Sequence, residues 1–419
     1  MKFSRVVAAL VMLTLIVGTQ VGLAQTELSW YFCCAQTERA EMFSRWAREF
    51  ESLNPGVKVN ELYPSTDGSA YYDKVSVSIA GDMAPDVFWA GNGLWAYADM
   101  LMPLDDLYKT EPIIKEIVDV MIDAHRWKGN IIAVPFGVNA HAFFYNKDLF
   151  NTVGVNMPKD WTWNDAIAIG KKLTADLNGD GNPDRWGLGI SDSGWSAVTY
   201  GGNVYSNDLR KVMIDNPVTT AGIQMTADLM SGKTGAYYTP GAFPLSYNAF
   251  VAGTLGAHGL GVFQTPMVTR DADFDWDIVL YPKLEVDKKY YRTSYFAQEA
   301  WVIYKGTKHP ELAKKFLAFI MQKDKMGEFA GQGAIIPTQP SVARRSFLTM
   351  NSKVNMQAFT DTLNYYKNTE RQHPTNMRVD SFAPWGYIIS GRVPAATAVP
   401  ELARQMQVVV DEYWARYDN

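Results

Sequence analysis

The chain has 419 residues, 47% hydrophobic and 20% charged, so it can build a full globular core; disorder, collagen-like repeats and a disulfide-dense scaffold are excluded. Lys plus Arg number 39 and Asp plus Glu 44, a net charge of −5, and the lack of basic excess argues against a nucleic-acid partner. The 13 Trp, 22 Tyr and 20 Phe supply more ring surface than a core of this size needs.

Residues 1–24 read as a cleavable secretory signal. Lys2 and Arg5 precede an apolar run over 6–17 broken only by Thr14, and Gly22-Leu23-Ala24 puts small residues at −3 and −1 before Gln25. The run falls short of the roughly 20 residues of a membrane span, although an uncleaved anchor is the competing reading. Export places the chain in the periplasm or another extracytoplasmic space. There the adjacent Cys33 and Cys34 meet oxidising conditions. Their Cα atoms are about 3.8 Å apart, against about 4.4–6.8 Å in ordinary disulfides, so they form either a strained vicinal bridge or two buried thiols.

In chain order, residues 28–32 suit a strand. Residues 37–53 show helical spacing, with Met42, Phe43, Trp46 and Phe50 on one face, stopped by Asn54-Pro55-Gly56. Residues 57–62 alternate as a second strand, 71–80 are helical, and 86–89 form a third strand. This strand–helix alternation predicts an α/β domain with a largely parallel core sheet. Further helices are predicted at 163–173, 219–230, 310–322, 356–366 and 396–417. Trp46, Trp163 and Trp414 fall on helical patterns and read as structural, as do Trp127, Trp186 and Trp276. No Gly-rich phosphate loop or repeat is present.

Asp176, Asn178, Asp180, Asn182 and Asp184 place oxygen side chains at positions 1, 3, 5, 7 and 9 of a loop, with Gly181 at position 6. That is calcium-loop spacing, but Gly187 stands where a bidentate Glu is usual. The alternative is an Asx-rich turn that holds itself together. Any Ca2+ here would be structural, and no cofactor is otherwise required.

Catalytic signatures are missing. His125, His141, His258, His309 and His373 are isolated, no Gly-x-Ser-x-Gly occurs, and Asp105-Asp106 look like a solvated helix start. The chain therefore reads as no enzyme. The competing reading is a secreted polysaccharide-active enzyme, a glycosidase or lyase.

Several segments share an order and spacing: Asn54-Pro55-Gly56-Val57-Lys58-Val59, Ala84-Pro85-Asp86-Val87-Phe88-Trp89-Ala90, Pro103-Leu104-Asp105, Val134-Pro135-Phe136-Gly137, Phe144-Tyr145-Asn146-Lys147-Asp148-Leu149, Trp161-Thr162-Trp163, Trp301-Val302-Ile303 and His309-Pro310-Glu311-Leu312-Ala313. Over nearly the whole mature chain they resemble the extracellular solute-binding proteins of carbohydrate ABC transporters, the maltose-binding-protein-like family. The resemblance implies a two-lobed periplasmic-binding-protein fold of type II. Each lobe is a mainly parallel sheet flanked by helices: lobe one is 25–136 plus 295–335, lobe two 137–294 plus 336–419, joined by hinge crossings. It further implies a monomer that captures a sugar or oligosaccharide between the lobes and delivers it to ABC permease subunits in the membrane.

A sugar offers an apolar face to aromatic rings and a rim of hydroxyls to amides and carboxylates. Residues of those types near strand ends and crossings are the candidate ligand contacts: Gln36 and Glu38, Trp89 and Asn92, Asn139, Trp195 before Tyr200-Gly201-Gly202-Asn203, Phe296 and Gln298, and Trp385. The resembling proteins carry a Trp at the position of Trp89. They carry acids where this chain has Asn92 and Asn139.

Overall fold

A computed structural model of the chain describes residues 25–33, 37–62, 68–190, 195–241, 244–365, 373–375 and 377–418, with the backbone but not the side chains of 37, 68–69, 92–93 and 195–196. The expected signal segment lies outside the described residues, as do Cys34 and Gln36. Cys33 is disulfide-bonded. Among the described residues no helix is long and apolar enough to cross a membrane.

Strands β1 (Thr26–Tyr31) and β2 (Val57–Leu62) flank helix Thr37–Leu53, and helix Gly68–Ala80 leads to β3 (Val87–Ala90). β1 runs parallel to both β2 and β3, pairing Leu28 with Val59 and Trp30 with Val87. Helix Thr37–Leu53 buries Met42, Phe43, Trp46 and Phe50, the face its apolar spacing predicts. The ring of Phe43 meets Trp30 at 5.1 Å, and Trp30 in turn meets Trp301 at 5.4 Å and Phe316 at 5.0 Å. Much of the aromatic excess is therefore core, where each such pair adds about 0.5–1.5 kcal/mol beyond its burial.

A two-residue hairpin, β4 (Arg126–Trp127) and β5 (Asn130–Ile131), precedes β6 (Val134–Asn146). At 13 residues β6 is about twice the usual strand length, and its two halves serve different neighbours. β7 (Trp186–Ile190), β8 (Leu255–Gly261) and β9 (Trp276–Val279) follow, then the hairpin β10 (Leu284–Val286) with β11 (Lys289–Tyr291). β12 (Phe296–Ile303) and β13 (Ile336–Pro337) complete the set. Residues 134–140 of β6 pair with β12, while 141–145 pair with β8. The sheet order is β2-β1-β3-β12-β6-β8-β7, with β13 and β9 also on β6.

The sheet is mixed, not mainly parallel. Among the described strands, parallel pairing joins β1 to β2 and β3, and β7 to β8, whereas β12 runs antiparallel to both β3 and β6. The reason is connectivity: β6 carries the chain out of the first half of the sheet and β12 carries it back, so the two run in opposite directions.

Local chemistry explains the boundaries. Thr162 and Asp165 form a reciprocal capping box on helix Trp163–Leu173, and Trp161 is buried with its Nε1 donating to the Leu280 carbonyl at 2.7 Å. Gly137 leaves room for the residue leading into β13: a Cβ there would sit 2.2 Å from Ile335 Cδ1 and force that side chain to move. The C-terminal helix Ala395–Tyr417 ends against the β4–β5 hairpin. There Trp414 stacks on Trp127 with centroids 6.2 Å apart, and Tyr417 donates to Asp99 Oδ2 at 2.6 Å.

Candidate ligand-binding cleft

In open α/β sheets, ligands bind in the crevice beyond the carboxyl ends of the parallel strands. Here that edge lies after Tyr31 and Ala90, where Gly91 leaves β3 and helix Thr37–Leu53 begins. β12 is antiparallel to β3 with Ala300 opposite Ala90, so residues 295–299 project to the same edge. Residues 137–140 of β6 lie beside them. The crossing strands and the crevice therefore coincide.

Strand alternation decides which side chains open there. Along residues 295–299, Tyr295, Ala297 and Glu299 are half-buried, while Phe296 and Gln298 are buried. Asn139, the register partner of Ala297, is also half-buried, between the buried Val138 and Ala140. Asn139, Tyr295, Ala297 and Glu299 thus form the solvent-reachable face of the ladder. The turn before β12 is stitched to β6, because Ser294 Oγ accepts from the His141 amide at 3.0 Å and donates to the His141 carbonyl. The His141 ring packs edge-on to Tyr295 at 4.9 Å.

Phe296 and Gln298, expected to touch ligand, fall on the opposite phase: Phe296 is 0% and Gln298 3% exposed. That phase hands the open positions to Ala297 and Glu299, and Glu299 was missed in the sequence. Trp89 lies within β3, 5% exposed, with its ring enclosed by Phe136 at 5.0 Å and Trp301 at 5.6 Å. Its polar edge reaches the crevice, where Nε1 donates to Glu299 Oε2. Trp89 is therefore a core ring holding a carboxylate, and its faces are not open platforms.

Around Glu299 the crevice is tight. A Cβ on Gly91 would lie 2.5 Å from the Tyr72 hydroxyl and 3.4 Å from Glu299 Oε2, so a larger residue would have to displace that hydroxyl. The Gly91 amide donates to that hydroxyl at 2.8 Å. Burial raises the Glu299 carboxyl to about 7, with the Trp89 bond and the Arg39 charge pulling the other way. Burial lowers Arg39 and raises Tyr72, each coupled to Glu299.

The remaining candidates are more dispersed. Glu38 is exposed in the first helical turn, and its charge reaches Arg270 at the end of helix Thr265–Asp271. Asn92 opens the 3-10 helix Asn92–Met100 and Trp195 the 3-10 helix Trp195–Thr199. Trp385 is 5% exposed in helix Ala383–Ile389, and Arg378, ahead of that helix, feels the charge of Tyr295. Asn203 does not join the crossing; it lines a groove of about 870 Å³ with Tyr205 and Gln407 against the C-terminal helix.

The 176–184 loop is held by its own hydrogen bonds. Asp176 accepts from the amides of Gly179 at 2.7 Å and Gly181 at 2.8 Å, and Asp180 from Asn182 at 2.8 Å. Asn178 accepts from the Asp180 amide at 2.9 Å, and Asp184 from the Leu177 amide at 2.7 Å. Among the described residues no group of three His, Cys, Asp or Glu could hold a metal ion. These bonds are the ones an Asx-rich turn makes.

Comparison with known proteins bears on the whole. The model of the bacterial extracellular solute-binding protein family matches residues 36–327, more than half of the chain. A binding protein of Brucella abortus is 23% identical over 344 residues, covering 77% of this chain and 78% of its own. The maltotriose-binding protein of Pyrococcus abyssi is 24% identical over 288 residues, 67% of this chain and 60% of its own. Among solved structures, an ABC substrate-binding protein of Listeria monocytogenes in complex with cycloalternan superposes with a TM-score of 0.75 at 20% identity, covering 92% of this chain and 99% of that one. With the two-lobed fold and the crevice at its crossing strands, the chain belongs to the bacterial extracellular solute-binding protein family.

Proposed function

We propose that this chain is an extracytoplasmic carbohydrate-binding protein that captures a sugar or oligosaccharide between its lobes and hands it to the permease subunits of an ABC importer. The observation that carries the reading is the crossing itself. Asn139, Tyr295, Ala297 and Glu299 form one half-buried face at the carboxyl edge of the sheet, combining a ring with hydroxyl-binding groups. The names of the maltotriose-binding and cycloalternan-bound relatives support the carbohydrate class.

On this reading the lobes are 25–136 with 295–335 and 137–294 with 336–419, and closure is a hinge motion at the crossings. The protein binds and does not turn over its ligand, it is exported with cleavage near Ala24, and it works as a monomer. Glu38, Asn92, Asn139 and Trp195 remain the proposed contacts, while Trp89 serves from beneath and Trp385 is as buried as Trp89. A thermal-shift screen against mono- and oligosaccharides tests this. A ligand at 100 times its Kd adds about 2.7 kcal/mol of stability, a plain rise in Tm. A screen in which no carbohydrate raises Tm overturns the reading.

A further inference from the structure

We propose that Glu299 is the specificity-determining acceptor of the cleft: its carboxylate takes the hydrogen of a ligand hydroxyl, together with Asn139 beside it. This rests on the carbohydrate reading and names the groups that select within that class.

The argument is one of unmet hydrogen-bonding capacity. A carboxylate half-buried among aromatic rings is costly unless its oxygens are paired. Oε2 is held by Trp89 Nε1, and among the described residues nothing donates to Oε1. Two strands' register makes Asn139 its diagonal neighbour: Asn139 stands opposite Ala297, and Glu299 follows two residues on. Asn139 Oδ1 is itself buried with no hydrogen-bond partner. Two acceptors therefore share one face at the crevice, each with capacity left over, and what they lack is donors. A polyol supplies donors at that spacing, whereas an anionic ligand would meet Glu299 as a like charge. Purely structural packing would be served as well by an apolar residue.

The groups facing Glu299 make its charge the one that varies near neutrality. Arg39 comes from helix Thr37–Leu53, and Tyr71 and Tyr72 from helix Gly68–Ala80. Arginine stays charged and these tyrosines stay neutral between pH 6 and 8. His141, packed on Tyr295, is held by burial at about 3 and is neutral throughout.

The test is calorimetric titration of the mature chain with maltotriose, or with a linear arabino-oligosaccharide if maltotriose does not bind, at pH 6, 7 and 8, for wild type, Glu299→Gln and Glu299→Asp. A lost charged hydrogen bond predicts a roughly 10- to 100-fold weaker Kd in Glu299→Gln. Wild type should bind about tenfold tighter at pH 8 than at pH 6, since only the ionised fraction is competent, and Glu299→Gln should lose that slope. Glu299→Asp, which keeps the charge, should keep the slope, and it decides the matter with wild type if Glu299→Gln fails to fold. Binding by Glu299→Gln within threefold of wild type, or a flat wild-type profile, overturns the proposal while leaving the carbohydrate reading standing. If neither sugar binds wild type, the titration is run with a sugar that raises Tm in the thermal-shift screen; if none there does, the carbohydrate reading falls and this proposal with it.

Discussion

Replacing Trp127 with alanine removes the ring on which the last turn of the C-terminal helix rests. Trp127 is 7% exposed, and its Nε1 donates to Asp99 Oδ1 at 2.8 Å. Its ring stacks on Trp414 at 6.2 Å with an interplanar angle of 25° and also meets Trp95 at 6.1 Å and Tyr417 at 6.3 Å. A buried Trp cut to Ala costs about 3–5 kcal/mol. The stacked pair accounts for only about 0.5–1.5 kcal/mol of that, so the single variant cannot identify it. A double-mutant cycle can, combining Trp127→Ala with Trp414→Ala in urea denaturation read by fluorescence and circular dichroism where the two transitions coincide. Contacts of Trp414 that do not involve Trp127, such as Arg210 at 4.2 Å, the Leu209 carbonyl at 3.0 Å and Tyr413 at 5.2 Å, are lost in its single variant and cancel. The expected coupling is about 1 kcal/mol. A coupling below about 0.3 kcal/mol, within additivity error, would refute docking of the C-terminal helix on the β4–β5 hairpin.

Stability should fall on acidification below pH 6.5. Burial holds His141 and His258 at about 3 and His373 at about 4, so each contributes stability complete above its unfolded value near 6.5, lost at about 1.4 kcal/mol per pH unit as pH drops. Glu299, raised to about 7, works oppositely, its contribution being present at low pH and lost as pH rises toward 7; Glu299→Gln should therefore steepen the acid-side fall in Tm, and an unchanged slope would contradict its burial. For the 176–184 loop, excess chelator should leave Tm unchanged while Asp176→Ala, which strands the Gly179 and Gly181 amides, lowers it; a drop on chelation would restore calcium. Mass spectrometry of exported protein should find Gln25 at or near the N-terminus, and retention of Met1 would speak for an anchor.

Much of the fold was legible because its boundaries are written in local chemistry. The helix over 37–53 has an apolar stripe and an Asn-Pro-Gly stop, and the helix over 163–173 has its Thr162–Asp165 box. Strand direction was not legible. The antiparallel β12 is set by where the chain returns, which no window of residues reports. The site was legible only in outline for a related reason. Gln298 and Glu299 are adjacent polar residues in a run that ends Ala-Trp-Val-Ile, apolar in both phases, so alternation alone could not say which of them faces the crevice. Trp89 shows the limit from the other side: a Trp at a strand end reads equally as platform or core. Only the packing of Phe136 and Trp301 on its faces decides between them.

The central claim, capture of a carbohydrate without turnover, is tested most directly by titrating the purified mature chain calorimetrically with a panel of linear and cyclic oligosaccharides and recovering the sugar by chromatography. The account predicts saturable binding of at least one of them at one site per chain, with the sugar recovered intact. Shortened or unsaturated sugar products, or no saturable heat from any carbohydrate in the panel, would contradict it.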